Sequence, residues 1–216
     1  MPYDDIAVPP AVLETFDSVP SFEAVPSTGT LTVDGVLSID GANLGASFVG
    51  QRLQTQSVKT EIFDRVFDLP LVPLQLAVHP PGANLALSEN AKPGTKVLMG
   101  IGPTGDSQGN SLGRGSIAIL FEDEVCQIGF RIDIQGARTF NTGFEGPGSV
   151  DVSFFSETGE RIDVRSAYER GELALGFGVQ NAAQGGIKGV LIQNLDRQGT
   201  YIDDLKYLSD CEPKLS

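Results

Sequence analysis

The feature that most constrains the fold is the alternation of side-chain character within Val125–Ile134, where every second residue from Cys126 onward is apolar. Successive side chains of a β-strand point to opposite sides, so this period of two predicts a strand with one buried face. The apolar side of this segment carries Cys126, Ile128, Phe130, Ile132 and Ile134. The stretch Ser149–Phe155 repeats the pattern, and Ser116–Phe121 is a continuous apolar run. These segments predict buried strands.

Shorter segments with the same character occur along the rest of the chain. A strand pair is predicted at Leu31–Ile39, around the turn dipeptide Asp34-Gly35. Further strands are predicted at Arg161–Val164, Leu173–Val179, Gly189–Ile192 and Tyr201–Leu208. Only Ala167–Leu173 could form a helical turn. We therefore expect an all-β protein of about nine to eleven strands with little helix, folded as a two-sheet antiparallel β-sandwich of jelly-roll-like form.

The chain has 216 residues, a length that a sandwich reaches as one unit with one core. We expect one β-sandwich domain over residues 1–216, with an extended N-terminal arm at residues 1–11 and a short tail at residues 212–216. The 26 Gly and 13 Pro suit many tight turns. Residues 80–115 are rich in Gly, Asn and Pro, and are expected to form a long surface loop system with one strand at Lys96–Met99.

A formal net charge of -13 limits the partners of the chain. The field of such a surface repels nucleic-acid phosphates and anionic lipids, so neither is an expected partner. No apolar run approaches the roughly 20 residues needed to cross a bilayer, and no signal-peptide pattern is visible. An acidic surface suits a secreted or cell-surface protein and supplies oxygen ligands for Ca²⁺.

Two cysteines, Cys126 and Cys211, are far apart in the sequence. A disulfide between them would close a long loop and would stabilise the fold by roughly 4 kcal/mol on the loop-entropy model. Such a bridge would indicate an oxidising compartment. Without it, Cys126 is a small buried apolar residue.

Two segments resemble the sandwich domains of bacterial secreted proteins that carry a PEP-type sorting signal. One is Ile117–Arg131, with its apolar strand followed by an apolar-Gly-Phe pattern, and the other is Gly199–Tyr207, with its Ile-Asp-Asp core. The hairpin Phe154–Glu160 is similar to a third feature of these domains, with Glu157-Thr158 in place of Asp. The terminal strand also resembles that of MAM-type and carbohydrate-binding sandwiches. This resemblance implies a sandwich in which acidic residues near the first and last strands jointly hold Ca²⁺.

The last predicted strand carries adjacent aspartates, Asp203 and Asp204. Strict alternation would place Asp203 with Leu205 and Tyr207, so that one of the two carboxylates points toward the core. A buried carboxylate requires backbone donors, a basic partner or a metal. We expect a structural Ca²⁺ site here, with the ligands Glu14, Asp17, Asp203 and Asp204; the alternative is an Asp that caps the strand through backbone hydrogen bonds.

Two catalytic motifs match only in their letters. Gly100–Gly105 fits a dinucleotide-binding pattern, but no helix is predicted after it. Gly109–Gly113 fits a nucleophile elbow around Ser111, but the only histidine, His79, precedes it. Both segments are expected to be surface loops, and no catalytic residue is assigned.

Three functions agree with these patterns. The first is a non-enzymatic, Ca²⁺-stabilised module that binds a polysaccharide or another component of the extracellular or cell-surface matrix. The second is a polysaccharide lyase or glycoside hydrolase on the same scaffold, because carboxylates and the donors His79, Arg131, Arg165 and Tyr168 are present. The candidate carboxylates are Glu122, Glu124, Glu157, Glu160 and Asp163. The third is a self-assembling surface protein, which exposed strand edges would favour.

Overall fold

A computed structural model of the chain describes residues 12–14, 16, 29–58, 61–89, 92, 95–102, 112–134, 150–167, 171–179, 185–194 and 199–209. Within these ranges every element of regular secondary structure is a β-strand, which confirms the all-β prediction. The predicted N-terminal arm at residues 1–11 and the tail at residues 212–216 lie outside them. None of the described segments forms a helix with the length and apolarity that crossing a bilayer requires.

The first sheet has seven strands. Across the sheet they are β13 (Gly171–Gly178), β10 (Gln127–Ile134), β15 (Thr200–Leu208), β8 (Val97–Gly100), β7 (Leu85–Ser88) and β2 (Thr30–Val33), and β1 (Val12–Glu14) also pairs with β15. All of these pairings are antiparallel.

The second sheet has six antiparallel strands, and a separate pair lies outside both sheets. In spatial order the six are β12 (Arg161–Ala167), β11 (Val150–Phe155), β14 (Ile187–Asn194), β9 (Ile117–Val125), β4 (Ala42–Gly45) and β3 (Leu37–Ile39). The separate pair is β5 (Leu53–Val58) with β6 (Glu61–Val66). The two-sheet sandwich is thus confirmed, with more strands than the nine to eleven expected.

The main core lies between the two sheets. Alternation along β10 is confirmed, because Ile128, Phe130, Ile132 and Ile134 are all buried in this core. The facing sheet contributes residues of β9, β11 and β14, including Ile119, Val152 and Val190. The predicted position of Cys126 on the inward face of this strand was wrong. Cys126 occupies the half-buried bend where the chain leaves β9 and enters β10 in the other sheet.

A second apolar cluster covers the outer face of the second sheet. Its buried members are Phe48, Val66, Leu74, Ala118, Phe155 and Leu191. Phe48 meets Phe155 edge to face, with ring centroids 5.8 Å apart. The backbone N–H of Val66 in β6 donates to Oε1 of Gln193 in β14 at 2.8 Å. The β5–β6 pair therefore forms a partial third layer over this sheet.

Two sequence predictions about strands were wrong, one about a pairing and one about a loop region. Gly35 adopts a positive φ of 84°, as the turn at Asp34-Gly35 requires. However, the flanking strands β2 and β3 do not pair with each other, because β2 joins the first sheet and β3 the second. The predicted loop at residues 80–115 contains β7 as well as β8, and all four side chains of β7 are buried.

Candidate functional site

The acidic N-terminal strand lies beside the last strand. β1 pairs with β15 so that the Glu14 backbone is opposite Leu205, next to the Asp203-Asp204 pair. The side chain of Glu14 and the whole of Asp17 lie outside the described residues. The backbones of the N-terminal segment and of the last strand are therefore adjacent, as expected. The ligand set of the Ca²⁺ site remains a prediction.

A β-bulge in β15 changes which side chains face the core. The register against β10 shifts between Gly129 and Arg131, so that Asp204 and Leu205 together oppose one residue of β10. Asp204 has a φ of 49°, a left-handed conformation that aspartate tolerates better than most residues. The core-facing residues of β15 are Ile202, Leu205 and Tyr207.

The prediction of strict alternation in the last strand was therefore wrong. Asp203 pairs with Arg131, which alternates with the core residues Phe130 and Ile132 on β10. Asp203 and Arg131 thus face away from the inter-sheet core. The extra residue in the bulge restores an inward direction for Leu205, so no carboxylate has to enter the core.

Both aspartates belong to a cluster on the outer face of the first sheet, which we call the charge network: Lys92, Arg131, Glu172, Asp203 and Asp204. Lys92 Nζ lies 3.1 Å from Asp203 Oδ2 and 3.0 Å from Glu172 Oε2. Arg131 bridges Glu172 Oε1 at 3.0 Å and Asp204 Oδ2 at 2.8 Å. Asp203 Oδ1 accepts the Asp204 backbone N–H at 2.8 Å.

Burial sets the electrostatics of this network. Asp203 is only 2% exposed, and burial raises its pKa, although the Lys92 ammonium acts in the opposite direction. Burial lowers the pKa of Lys92, but its hydrogen bonds with Glu172 and Asp203 outweigh this effect and raise it overall. The Lys92 hydrogen bond also holds the pKa of Glu172 below its usual value. Burial raises the pKa of the neighbouring Tyr201 to about 12.

The described residues contain no group of His, Cys, Asp and Glu side chains arranged to hold a metal ion. The carboxylates of Asp203 and Asp204 are instead bound by Lys92 and Arg131. Of the stated alternative, a strand cap through backbone hydrogen bonds, the structure shows one bond, from the Asp204 N–H to Asp203 Oδ1. A Ca²⁺ ion at this place would share both carboxylates with protein cations.

Cys126 is disulfide-bonded, and no free cysteine occurs in the described residues. Cys211 lies outside them, so the pairing of these two residues remains a prediction.

The hydrolase motif is not assembled in the described part of the chain. His79 Nε2 is 3.0 Å from the hydroxyl of Ser47, a residue that is 1% exposed. Burial lowers the pKa of His79. Ser111 lies outside the described residues. His79 therefore forms a partly buried contact just after the end of β4.

The other candidate carboxylates are distributed over separate places. Glu122 is exposed on β9, and Glu124 Oε2 accepts the Gly186 N–H at 3.1 Å. Glu157 and Glu160 flank a turn in which Gly159 has a φ of 72°. Asp163 lies on β12. Tyr168 lies outside the described residues.

A cleft opens at one side of the sandwich, where the first sheet ends at β13 and the second ends at β12. We call it the edge cleft. It has a volume of about 310 Å³, at the lower end of the range for small-molecule sites. Its lining includes Phe130, Phe154, Arg165, Ser166, Leu175 and Phe177.

The floor and rim of the edge cleft differ in polarity. Phe154 and Phe177 stack across the two sheets, with centroids 4.0 Å apart and planes at 13°. At the rim, Arg165 Nη2 is 2.8 Å from Asp163 Oδ2, and Arg165 Cζ lies 5.8 Å from the Phe177 ring centroid. Asp163 and Arg165 face inward because they are opposite Phe154 and Val152 of β11.

The edge cleft was not predicted from the sequence. The strand predicted at Leu173–Val179 corresponds to β13, whose Leu173, Leu175 and Phe177 pack against the core. This prediction did not indicate that β13 is an edge strand or that its partner across the opening is β12, because both facts depend on the order of strands in the sheets.

No family model and no curated protein matches the chain. Among solved structures, it is similar to a family 29 carbohydrate-binding module, with a TM-score of 0.33 and 10% identity over 60% of this chain and 82% of that one. It is also similar to the K2 cleaved adhesin domain of Lys-gingipain, with a TM-score of 0.37 and 15% identity over 91% and 98% of the two chains.

A third similar structure contains the CBM22-1–GH10 modules of a Clostridium thermocellum endo-1,4-β-D-xylanase 10B in complex with xylohexaose. The TM-score is 0.30 and the identity 15%, over 58% of this chain and 24% of that one. At these TM-scores and identities, the three likenesses give no information on the function of this chain.

Proposed function

We propose that this chain is a β-sandwich module that binds a neutral glycan in the edge cleft. The observation that supports the proposal is the composition of the cleft, which has an aromatic floor next to a paired Arg165–Asp163 rim. Sugars present an apolar C–H face and a ring of hydroxyls, and this combination of surfaces complements both.

The floor offers the apolar contact. The Phe154–Phe177 stack joins the two sheets, and Leu175 extends the apolar surface along β13. The C–H face of a pyranose packs well on an aromatic surface of this kind. Because the floor belongs to paired strands of both sheets, it is formed before a ligand binds, which lowers the entropic cost of binding.

The rim offers directed hydrogen bonds. The guanidinium of Arg165 presents several N–H donors in a fixed plane, and Asp163 presents carboxylate acceptors beside it. Arg165 is 64% exposed, so its free donors are accessible. Vicinal hydroxyls of a sugar both donate and accept, and therefore suit a paired guanidinium and carboxylate better than either group alone.

The charge of the chain supports a neutral rather than an anionic glycan. A formal net charge of -13 disfavours the approach of uronic acids or sulfated sugars. The cation at the cleft is already paired with Asp163. The site therefore lacks the excess positive charge that an anionic ligand would require.

Binding is tested with an array of neutral and anionic oligosaccharides, followed by calorimetry on any neutral sugar that binds. Arg165→Met keeps the length of the side chain and removes its donors, and Phe177→Ala removes the stack; each is expected to weaken binding about tenfold or more. Val164→Thr changes an exposed residue of the same strand that points to the opposite face, and is the matched control.

Binding that is equal in all variants would place the glycan elsewhere, and the absence of binding to any neutral sugar would contradict the proposal. Melting curves of the variants show whether a loss of binding reflects a loss of fold.

Ca²⁺ stabilisation and export to the cell surface complete the proposed function. The acidic charge and the position of β1 beside the Asp203-Asp204 pair support a cation at β15. A disulfide-bonded Cys126 supports an oxidising compartment. A PEP-type sorting signal remains an expectation from the sequence resemblance.

A further inference from the structure

β13 has one unpaired edge in the described part of the chain. It pairs with β10 along its whole length and is the last strand of the first sheet. The bond from Val179 N to Cys126 O, 2.9 Å long, fixes which residues of β13 face β10. By alternation, the backbone N–H and C=O groups that point away from the sheet are those of Glu172, Ala174, Gly176 and Gly178.

This edge lacks the features that protect exposed strands from pairing. Such strands are commonly protected by Lys, Pro, a bulge or charges that point inward. β13 contains neither Lys nor Pro, and its pairing with β10 has no bulge. The edge strand of the other sheet, β12, carries Arg161 and the inward pair Asp163 and Arg165. Features that prevent pairing with another strand are thus present on the β12 edge and missing from the β13 edge.

The side chains of β13 are also incompletely covered. Leu173, Leu175 and Phe177 pack against the core and are only half-buried, whereas the inward residues of β10 are fully buried. On the outer face, Ala174, Gly176 and Gly178 are small and allow another strand to approach. The strand therefore has both free hydrogen-bonding groups and apolar surface left to bury.

We propose that β13 pairs with β13 of a second copy of this chain, antiparallel and about a two-fold axis at Leu175, to form one continuous sheet. This register places Ala174 opposite Gly176 and Glu172 opposite Gly178 of the other copy. These are the residues with outward backbone groups, so about eight hydrogen bonds can form across the contact. Leu173 then lies opposite Phe177 on the inner face.

Charge favours a second copy at this edge. Two chains with a net charge of -13 repel each other unless they meet where the charge is low. β13 has one ionisable residue, Glu172, and its carboxylate is neutralised by Lys92 and Arg131. In the proposed register Glu172 faces a glycine and does not meet its own copy. The strand is thus self-complementary in hydrogen bonding, in side-chain size and in charge.

Sedimentation equilibrium and light scattering over a range of protein concentrations test this proposal. Wild type is expected to form a dimer at micromolar to millimolar concentration. Ala174→Lys adds a charge on the exposed outer face of β13, outside the edge cleft, and is expected to raise the dissociation constant at least about tenfold. The control Val164→Lys adds the same charge to the exposed face of β12 and is expected to leave the dimer unchanged.

Ala174→Pro is the second variant, because it removes an outward N–H that forms no bond within the sheet and is expected to abolish dimerisation. Far-UV circular dichroism verifies that the variants fold. A wild type that stays monomeric at millimolar concentration would overturn the proposal. So would a dimer that persists in Ala174→Lys, or a monomer whose β13 edge binds an unrelated extended peptide instead. Sedimentation and light scattering measure the molecular mass of the protein alone. A failure of the glycan-binding proposal would therefore not affect this test.

Discussion

The ion pair between Lys92 and Asp203 offers a sharp test of how the charge network stabilises the fold. The carboxylate is almost fully buried, with 3% of its side chain exposed, whereas 33% of the Lys92 side chain is exposed. If the ion pair is broken, water can therefore solvate the Lys92 ammonium but not the Asp203 carboxylate. We expect Lys92→Met and Asp203→Asn to have very different effects on the free energy of unfolding.

The magnitudes follow from this asymmetry. Lys92→Met leaves a buried carboxylate with the Asp204 N–H as its described donor, and we expect a loss of about 2–3 kcal/mol at neutral pH, below the 3–5 kcal/mol typical of a fully buried pair. Asp203→Asn leaves a hydrated ammonium that still contacts Glu172, and we expect a loss below about 1 kcal/mol. The double variant should resemble Asp203→Asn, because it contains no unpaired buried charge.

The pH dependence of the stability lost in Lys92→Met provides an independent test. Burial already raises the pKa of Asp203, and removal of Lys92 raises it further. The folded state of Lys92→Met then binds a proton that the unfolded state does not bind, so its stability deficit shrinks as the pH falls through the raised pKa. Below about pH 4, where the unfolded carboxyl is also protonated, the gain is complete.

Urea denaturation of the four proteins at several pH values between neutral and mildly acidic measures these effects. Two results would refute this reasoning. One is an equal loss in the two single variants, and the other is a double variant as unstable as Lys92→Met. Either would mean that Asp203 is not a buried charge compensated mainly by Lys92.

Three further predictions concern other titratable groups and the cation. Burial lowers the pKa of His79, the only histidine, so stability should fall as the pH drops below about 6.5; this decrease should be absent in His79→Gln if denaturation midpoints are compared between pH 7 and 5. Burial raises the pKa of Asp64 to about 6. Asp64→Asn should therefore exceed wild type in stability at neutral pH by on the order of 1 kcal/mol after solvent screening, and the difference should disappear near pH 4. If Ca²⁺ binds at β15, EDTA should lower the melting temperature by several degrees and added Ca²⁺ should restore it, whereas an unchanged melt would exclude a stabilising site.

Local patterns in the sequence predicted the strands that bury one complete face. β10 and β11 were found because apolar residues alternate over six or more positions. β14 was predicted only in part, as the apolar segment Gly189–Ile192. β7 was missed because it has four residues, all of them buried, and so shows no alternation inside a Gly- and Asn-rich region.

These local patterns did not predict which sheet each strand joins or which strands are adjacent. The Asp34-Gly35 turn has the expected backbone at Gly35, yet turn chemistry does not specify whether the next strand joins the same sheet. The bulge at Asp204 needs a positive φ, which Asp permits but does not require. The edge cleft combines four strands that are adjacent only after both sheets have formed. The candidate site is therefore a consequence of topology.

The edge cleft and the free edge of β13 lie at the same side of the sandwich and share Gly176 and Gly178, which line the cleft. The cleft uses inward side chains such as Phe177 and Arg165, whereas dimerisation would use outward backbone groups in the plane of the sheet. A two-fold dimer would carry two clefts, and a polymeric glycan that engages both would bind more tightly than a short oligosaccharide by an effective-concentration effect of about 100-fold or more. Ala174→Lys should then weaken adhesion to an immobilised polysaccharide while leaving the affinity for a soluble oligosaccharide unchanged. A loss of both would instead mean that the dimer contact forms part of the sugar site itself.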